Sequence, residues 1–395
     1  METSENDADK TEGLAATEPV NYLQLGGSLL IVLLIGTNLL TWAYYRNEAR
    51  TAASATVSPM AAPPTAPRPS QRPEAMLAVN EAPQKADYAI TNAHDHLYML
   101  KHLDKYMKAA KEFGIERTVF VASSEFTFLG TKGDMTKLND WSTREILKAA
   151  KKYPGKIIPF ATLHPDDPDK VALLKEYVAE GVMGLKLYTG HSNFHDRSLD
   201  VPEMDPVYAY CAETGLPLLW HVNMAKYTKE LFQVLDKYPN LTVIIPHLGV
   251  GFWRPDGQVM GEVEHMLATY PNTYVDTSFG TREILVGGLE KVTAYTDIFK
   301  DFYEKHQDRI VWGTDMVVTG NKEKTEAWVK SVIRACRDLH EKDVYTFWMA
   351  AEGSGYAYGR GDNTYGTLRG LNLPDDILKK IYETNMDKVL AAVDK

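Results

Sequence analysis

The stretch Tyr88-Ala-Ile-Thr-Asn-Ala93-His94-Asp95-His96 is a short apolar run that ends in two histidines one residue apart. On a strand, side chains i and i+2 share a face, so His94 and His96 point the same way. Two imidazoles on one face are half of a divalent metal site. Three further candidates follow, each closing its own β-rich run: His221, His247 and Asp315.

From residue 86 onward, β-rich runs alternate with amphipathic stretches, the pattern of a parallel sheet with crossover helices. Strands are expected at 88–93, 117–123, 156–163, 183–188, 217–222, 241–247, 273–278 and 309–315. Helical periods lie between them. One follows Ser142 as N-cap, and another runs from Asp169 to a terminating Gly181. Eight strands fit a (β/α)8 TIM barrel, in which chemistry sits at the C-terminal strand ends. A doubly wound open sheet is the rival, but no Gly-x-Gly-x-x-Gly follows any strand. His94, His96, Lys186, His221, His247 and Asp315 all fall at or near expected strand ends.

Ahead of the barrel the chain changes character. Residues 1–22 are acidic and aperiodic and are expected to be disordered. Residues 23–45 carry no charge, are long enough to span a bilayer core, and end in Trp42, Tyr44 and Tyr45. A cleaved signal peptide fits less well than an uncleaved single-pass anchor, because the preceding tail is acidic. Residues 46–86 form an Ala/Pro-rich linker. The sequence thus predicts a tail (1–22), a transmembrane helix (23–45), a linker (46–86) and a barrel (87–395). The bilayer is the expected partner and the membrane the expected location. Arg46 and Arg50 favour a cytoplasmic barrel, the tether an outer one, and the side stays open.

The net charge of −10 and the lack of a basic stripe argue against nucleic acid. Cys211 and Cys336, both in helical patterns, are expected as buried free thiols. His102, His265, His306 and His340 are expected on the surface. The oligomeric state stays open.

Taken together, several motifs resemble the amidohydrolase superfamily, in its branch of metal-dependent hydrolases and non-oxidative decarboxylases. They are Asn92-Ala-His94-Asp-His96, Gly184-Leu-Lys186-Leu-Tyr188, Gly215-Leu-Pro-Leu-Leu-Trp-His221, Pro246-His247-Leu-Gly, Tyr274-Val-Asp-Thr-Ser and Trp312-Gly-Thr-Asp315. Ile381-Tyr-Glu-Thr-Asn385 is similar to the family's closing helix. The resemblance spans 87–393.

The resemblance implies a metal held by His94, His96, His221 and Asp315. One divalent ion, Zn2+, suits three histidines and a carboxylate. Asp315 would also take the proton of an attacking water. His247 would polarise the substrate or stabilise developing charge. Lys186 has three readings: a carboxylated bridge to a second metal, a plain positioning lysine, or a structural residue. Tyr188, Arg254 and Arg282 are candidate substrate contacts, the arginines suiting a carboxylate-bearing small molecule. The expected activity is hydrolysis of an amide, ester or lactone. Decarboxylation of an aromatic or unsaturated acid on the same site is the alternative, and a non-catalytic anchored binding module the third.

Overall fold

The computed structural model describes residues 88–122, 135–190, 197–249, 258–280, 283–322, 324–347 and 366–393. Strands and helices alternate: β1 (Ile90–Leu97), α1 (Asp104–Glu112), β2 (Ile115–Ala122), α2 (Met135–Lys152), β3 (Ile157–Thr162), α3 (Lys170–Ala179), β4 (Gly184–Thr189) and α4 (Asp205–Thr214). The pattern continues through β5 (Leu218–Val222), α5 (Met224–Lys237), β6 (Val243–Ile245), α6 (Gln258–Thr269), β7 (Thr273–Asp276), α7 (Glu283–Ala294) and α8 (Thr296–Lys305). β8 (Ile310–Val311) and β9 (Met316–Val318) complete the sheet, and α9 (Glu326–Glu341) follows. A small antiparallel pair, β10 (Val344–Phe347) and β11 (Gly366–Arg369), and two short helices, α10 (Asp375–Lys379) and α11 (Asn385–Leu390), follow.

The main sheet is parallel, in the order β8-β7-β6-β5-β4-β3-β2-β1-β9. Its two outer places are therefore taken by β8 and β9, which are successive pieces of one run. The Ala93 amide donates to Trp312 O at 2.8 Å and the Asp315 amide to His94 O at 2.6 Å, so the interrupted stretch also lies against β1. The sheet is curled in the TIM-barrel manner. The single expected strand over 309–315 is in fact split, and Asp315 sits in the turn with φ 51°.

Side-chain alternation sorts each strand into two layers. Leu185 and Leu187, or Trp220 and Val222, pack outward under the helices. Val119, Val121, Ile158, Phe160, Leu219, Ile244 and Val311 join Ala93 in a separate inner cluster. That cluster is completed by Met386, Val389 and Leu390 of α11, which closes the N-terminal end of the barrel. Asn385 Nδ2 fixes the helix there by donating at 2.8 Å to Gln307 O and Ile310 O.

β1 breaks the alternation once. Asn92 pairs with Thr118 and Asp95 with Phe120, so β1 uses one more residue than β2 between these points. This β-bulge lets Ala93 face the inner cluster while His94 and His96 share the inner face above it.

Other expectations meet the structure differently. Gly181 follows α3 at φ 108°, a left-handed position that glycine alone adopts freely. Ser142 is no N-cap, because α2 begins at Met135 and buries Ser142 in its interior. His340 is fully buried, not exposed: Nδ1 lies 2.6 Å from Cys336 O and Nε2 3.2 Å from the Tyr303 hydroxyl. Cys211 and Cys336 are buried free thiols.

The membrane anchor is corrected. Among the described residues, no helix is long and apolar enough to cross a membrane. The longer ones, α2 and α9, have 18 and 16 residues and carry charged side chains throughout. A span needs roughly 20 mostly apolar residues. Residues 23–45 lie outside the described residues, as do the tail and the linker. The bilayer as partner and the membrane as location rested on that anchor, and no described helix supports them.

Candidate metal centre

His94 and His96 stand side by side on β1, their Nε2 atoms 3.3 Å apart. Asp315 Oδ1 meets both, at 2.9 Å from His96 Nε2 and 3.3 Å from His94 Nε2. Three ligating atoms from two strand ends thus converge on one point. Gly313 makes the approach possible: a Cβ there would lie 3.1 Å from His94 Cβ and 3.3 Å from its backbone nitrogen. The glycine of the Trp312-Gly-Thr-Asp315 motif is therefore a close-contact residue.

A buried polar clamp holds Asp315 in its left-handed turn. Asp95 points away from the site, where it accepts bonds from Asn92 Nδ2 at 2.7 Å, Thr314 Oγ1 at 2.5 Å and the Met316 amide at 2.6 Å. Asn92 also donates to Thr314 Oγ1 and Tyr106 Oη, at 3.1 and 2.9 Å. The residues flanking Asp315 are thus tied to β1 on both sides. Burial pushes the Asp95 carboxyl up to about 8, against the pull of its Thr314 and Met316 donors.

On the other side of His94 lies Asp276, at the end of β7. Its Oδ2 is 2.8 Å from His94 Nδ1. Its Oδ1 accepts from the amides of His247 and Ser278 and from Ser278 Oγ, at 2.9, 3.0 and 2.6 Å. His247 follows β6 in a left-handed conformation, φ 57°. Its Nδ1 is 2.9 Å from Ser278 O, and its Nε2 faces Asp315 Oδ2 at 3.8 Å.

β4 and β5 supply the facing wall. Lys186 is buried, with Nζ 3.1 Å from His94 Nε2 and 5.0 Å from the centre of the Tyr188 ring. His221 stacks edge-on against His247 with ring centres 5.2 Å apart, and its ring lies 6.1 Å from that of Tyr188.

Electrostatics prepare the cluster for a cation. Burial, helped by the Lys186 charge, pushes His94 down to about 4, and burial also lowers His96. Burial opposes ionisation of Asp315, yet His94, the His96 hydrogen bond and His247 outweigh it and hold its carboxyl well below the usual range. Burial likewise opposes Asp276, and His94 and Ser278 hold it low. Burial lowers Lys186 to about 8, tempered by Asp315 and Asp276. Neutral imidazoles beside an ionised carboxylate are the protonation states that a divalent ion requires.

Among the described residues, two groups have ligating atoms close enough for a metal ion: His94/His96/Asp315 and His94/His247/Asp276. Both share one buried histidine. The structure therefore brings together His94, His96, Asp315, His247 and Lys186, with His221 and Tyr188 adjoining. His221 belongs to neither group. Arg254 and Arg282 lie outside the described residues. Sequence reasoning missed Asp276, Ser278 and Asp95. Asp276 lies inside the expected strand 273–278, two residues before its end.

A curled parallel sheet with a His/Asp metal cluster at its C-terminal strand ends defines a metal-dependent enzyme acting on small molecules. The chain belongs to the amidohydrolase family, whose model, described as Amidohydrolase, matches residues 76–390. No curated protein matches. Among solved structures the chain is similar to a provisionally assigned 2-pyrone-4,6-dicarboxylic acid hydrolase from Pseudomonas putida (16% identity, 77% of this chain and 98% of that one, TM-score 0.48). It is also similar to a 2,6-dihydroxybenzoate decarboxylase from Rhizobium (13% identity, 77% and 99%, TM-score 0.48). A third is a 5-carboxyvanillate decarboxylase from Novosphingobium aromaticivorans complexed with manganese (14% identity, 79% and 98%, TM-score 0.48).

Proposed function

We propose that the protein hydrolyses an amide, ester or lactone bond of a small molecule, using one divalent ion, Zn2+. The observation that carries this reading is the convergence of His94 Nε2, His96 Nε2 and Asp315 Oδ1 within 3.3 Å of one another. His94, His96 and Asp315 would hold the ion, with His221 as a fourth ligand from β5. When bound, such an ion polarises a carbonyl and acidifies water.

The chain's own groups then handle protons and position. Asp315 takes the proton of the attacking water at Oδ2, the oxygen turned toward His247. Its depressed pKa keeps it ionised, so an acceptor oxygen is present. His247 donates Nδ1–H to Ser278 O, so its Nε2 can receive that proton and steady the developing oxyanion. Lys186 remains a plain lysine whose ammonium meets a carboxylate-bearing substrate over the Tyr188 ring. Arg254 and Arg282 are proposed as further contacts to that carboxylate.

The test is a panel of lactones, esters and amides beside aromatic and unsaturated acids, with carbon dioxide tracked throughout. The expected outcome is acid formation without carbon dioxide. Carbon dioxide release from the acids, with no hydrolysis, would replace this reading with a decarboxylase on the same residues.

A further inference from the structure

We infer that Asp276 is a positioning residue for the whole centre. Its carboxylate sets the Nδ1–H tautomer of His94 and the backbone turn of His247, so one side chain aims two histidines. As far as the metal is concerned, this rests on the function proposed above.

Four N–H or O–H groups converge on Asp276: His94 Nδ1 on Oδ2, and the His247 amide, the Ser278 amide and Ser278 Oγ on Oδ1. A carboxylate accepts at both oxygens, which an asparagine amide cannot do. With Nδ1 donating, His94 presents its Nε2 lone pair toward His96 and Asp315. The opposite tautomer would point a proton at the place where the ion is proposed to sit.

The second half of the device is backbone. His247 and Leu248 both occupy left-handed φ, at 57° and 50°, a conformation that side-chain-bearing residues disfavour. The Asp276 side chain holds the first amide, and Asp276 O accepts the second, from Leu248 N at 3.0 Å. Ser278 joins the halves: Oγ lies 3.2 Å from His94 Nδ1 and 3.0 Å from His247 Nδ1. His94, His247 and Asp276 also satisfy the spacing of a metal group. Protons already occupy the gaps, however: Asp276 Oδ1 accepts from three donors and Oδ2 from the imidazole. The cluster is a hydrogen-bonded mount and not a second cation site.

An Asp276→Asn variant separates the possibilities. Its amide oxygen would turn to the three donors and its NH2 to His94 Nδ1, forcing the Nε2–H tautomer. Nitrogen-15 spectra of histidine-labelled apoprotein, assigned with His94→Gln, read the tautomer without any metal. The expected wild-type signal is Nδ1–H at His94, replaced by Nε2–H in Asp276→Asn. Zinc affinity, measured by chelator competition, should fall by about 10–100-fold. Ser278→Ala should keep the wild-type tautomer.

A wild-type apoprotein with Nε2–H at His94 would overturn the inference, whether or not Asp276→Asn folds. So would a folded Asp276→Asn with the wild-type tautomer and undiminished affinity, or a wild type that binds two zinc ions of which Asp276→Asn loses one while the His94/His96 site keeps the other. A purely structural Asp276 would lower the melting temperature and leave the tautomer alone. Failure of wild type to bind zinc would sink the proposed function and leave the tautomer result standing.

Discussion

The two ends of this barrel are built from the same strands and do opposite things with burial. At the N-terminal end, Met386, Val389 and Leu390 of α11 fill the interior against Val119, Ile158 and Ile244, and burial there is stabilising. At the C-terminal end, His94, His96, Lys186, Asp276 and Asp95 are buried polar groups, each of which costs free energy unless partnered. The first end is apolar packing that tolerates approximate shapes. The second is a hydrogen-bonded frame in which Asp95 and Asp276 flank His94 from either side. Stability and chemistry are thus separated along the barrel axis, and substitutions at one end should leave the other largely intact.

The largest effect should come from the C-terminal end. Asp315→Asn removes the proposed base, and activity should fall by about 10²–10⁴-fold. Activity within a few-fold of wild type would remove Asp315 from that role. At the other end, Met386→Ala should cost about 2–5 kcal/mol in denaturant unfolding, with zinc content unchanged. Loss of metal in that variant would show that the two ends are coupled.

A pH experiment sharpens the contrast further. Burial holds His340 near 4, below the 6.5 of an exposed histidine, so the unfolded chain binds more protons between those values. His340 therefore contributes stability above pH 6.5 that is lost as the pH falls toward 4, a change of order 3 kcal/mol. His340→Gln should flatten the fall in unfolding free energy between pH 7 and 4; an unchanged slope would remove His340 from the account. The smallest effect belongs to the rim of the closed end, where Arg117 pairs with Asp387 in partly exposed surroundings. Asp387→Asn should cost about 0–1 kcal/mol and leave metal binding alone, as urea titration and metal analysis would show.

Much of this was legible from residues alone. Eight β-rich runs located the strands to within a few residues, because strands buried on both faces read as apolar runs. His-x-His placed two imidazoles on one face. What stayed hidden has physical reasons. The extra residue in β1 between Asn92 and Asp95 leaves no mark in composition, yet it lets Ala93 and His94 both turn inward. The break before Asp315 looks like continuous strand, since Trp312-Gly-Thr-Asp is compatible with either. His340 reads as a surface residue because its partners, Tyr303 and the Cys336 carbonyl, come from tertiary packing and helix geometry. Asp276 stood in a quoted motif without a role, because an orienting carboxylate has no spacing rule of its own. The apolar stretch 23–45 was long enough to suggest an anchor, but no described helix has the length and apolarity of a span.

If His94, His96 and Asp315 hold one ion, metal analysis of purified protein should find close to one ion per chain in wild type and close to none in His96→Ala. Two ions per chain, or metal retained by His96→Ala, would overturn that assignment.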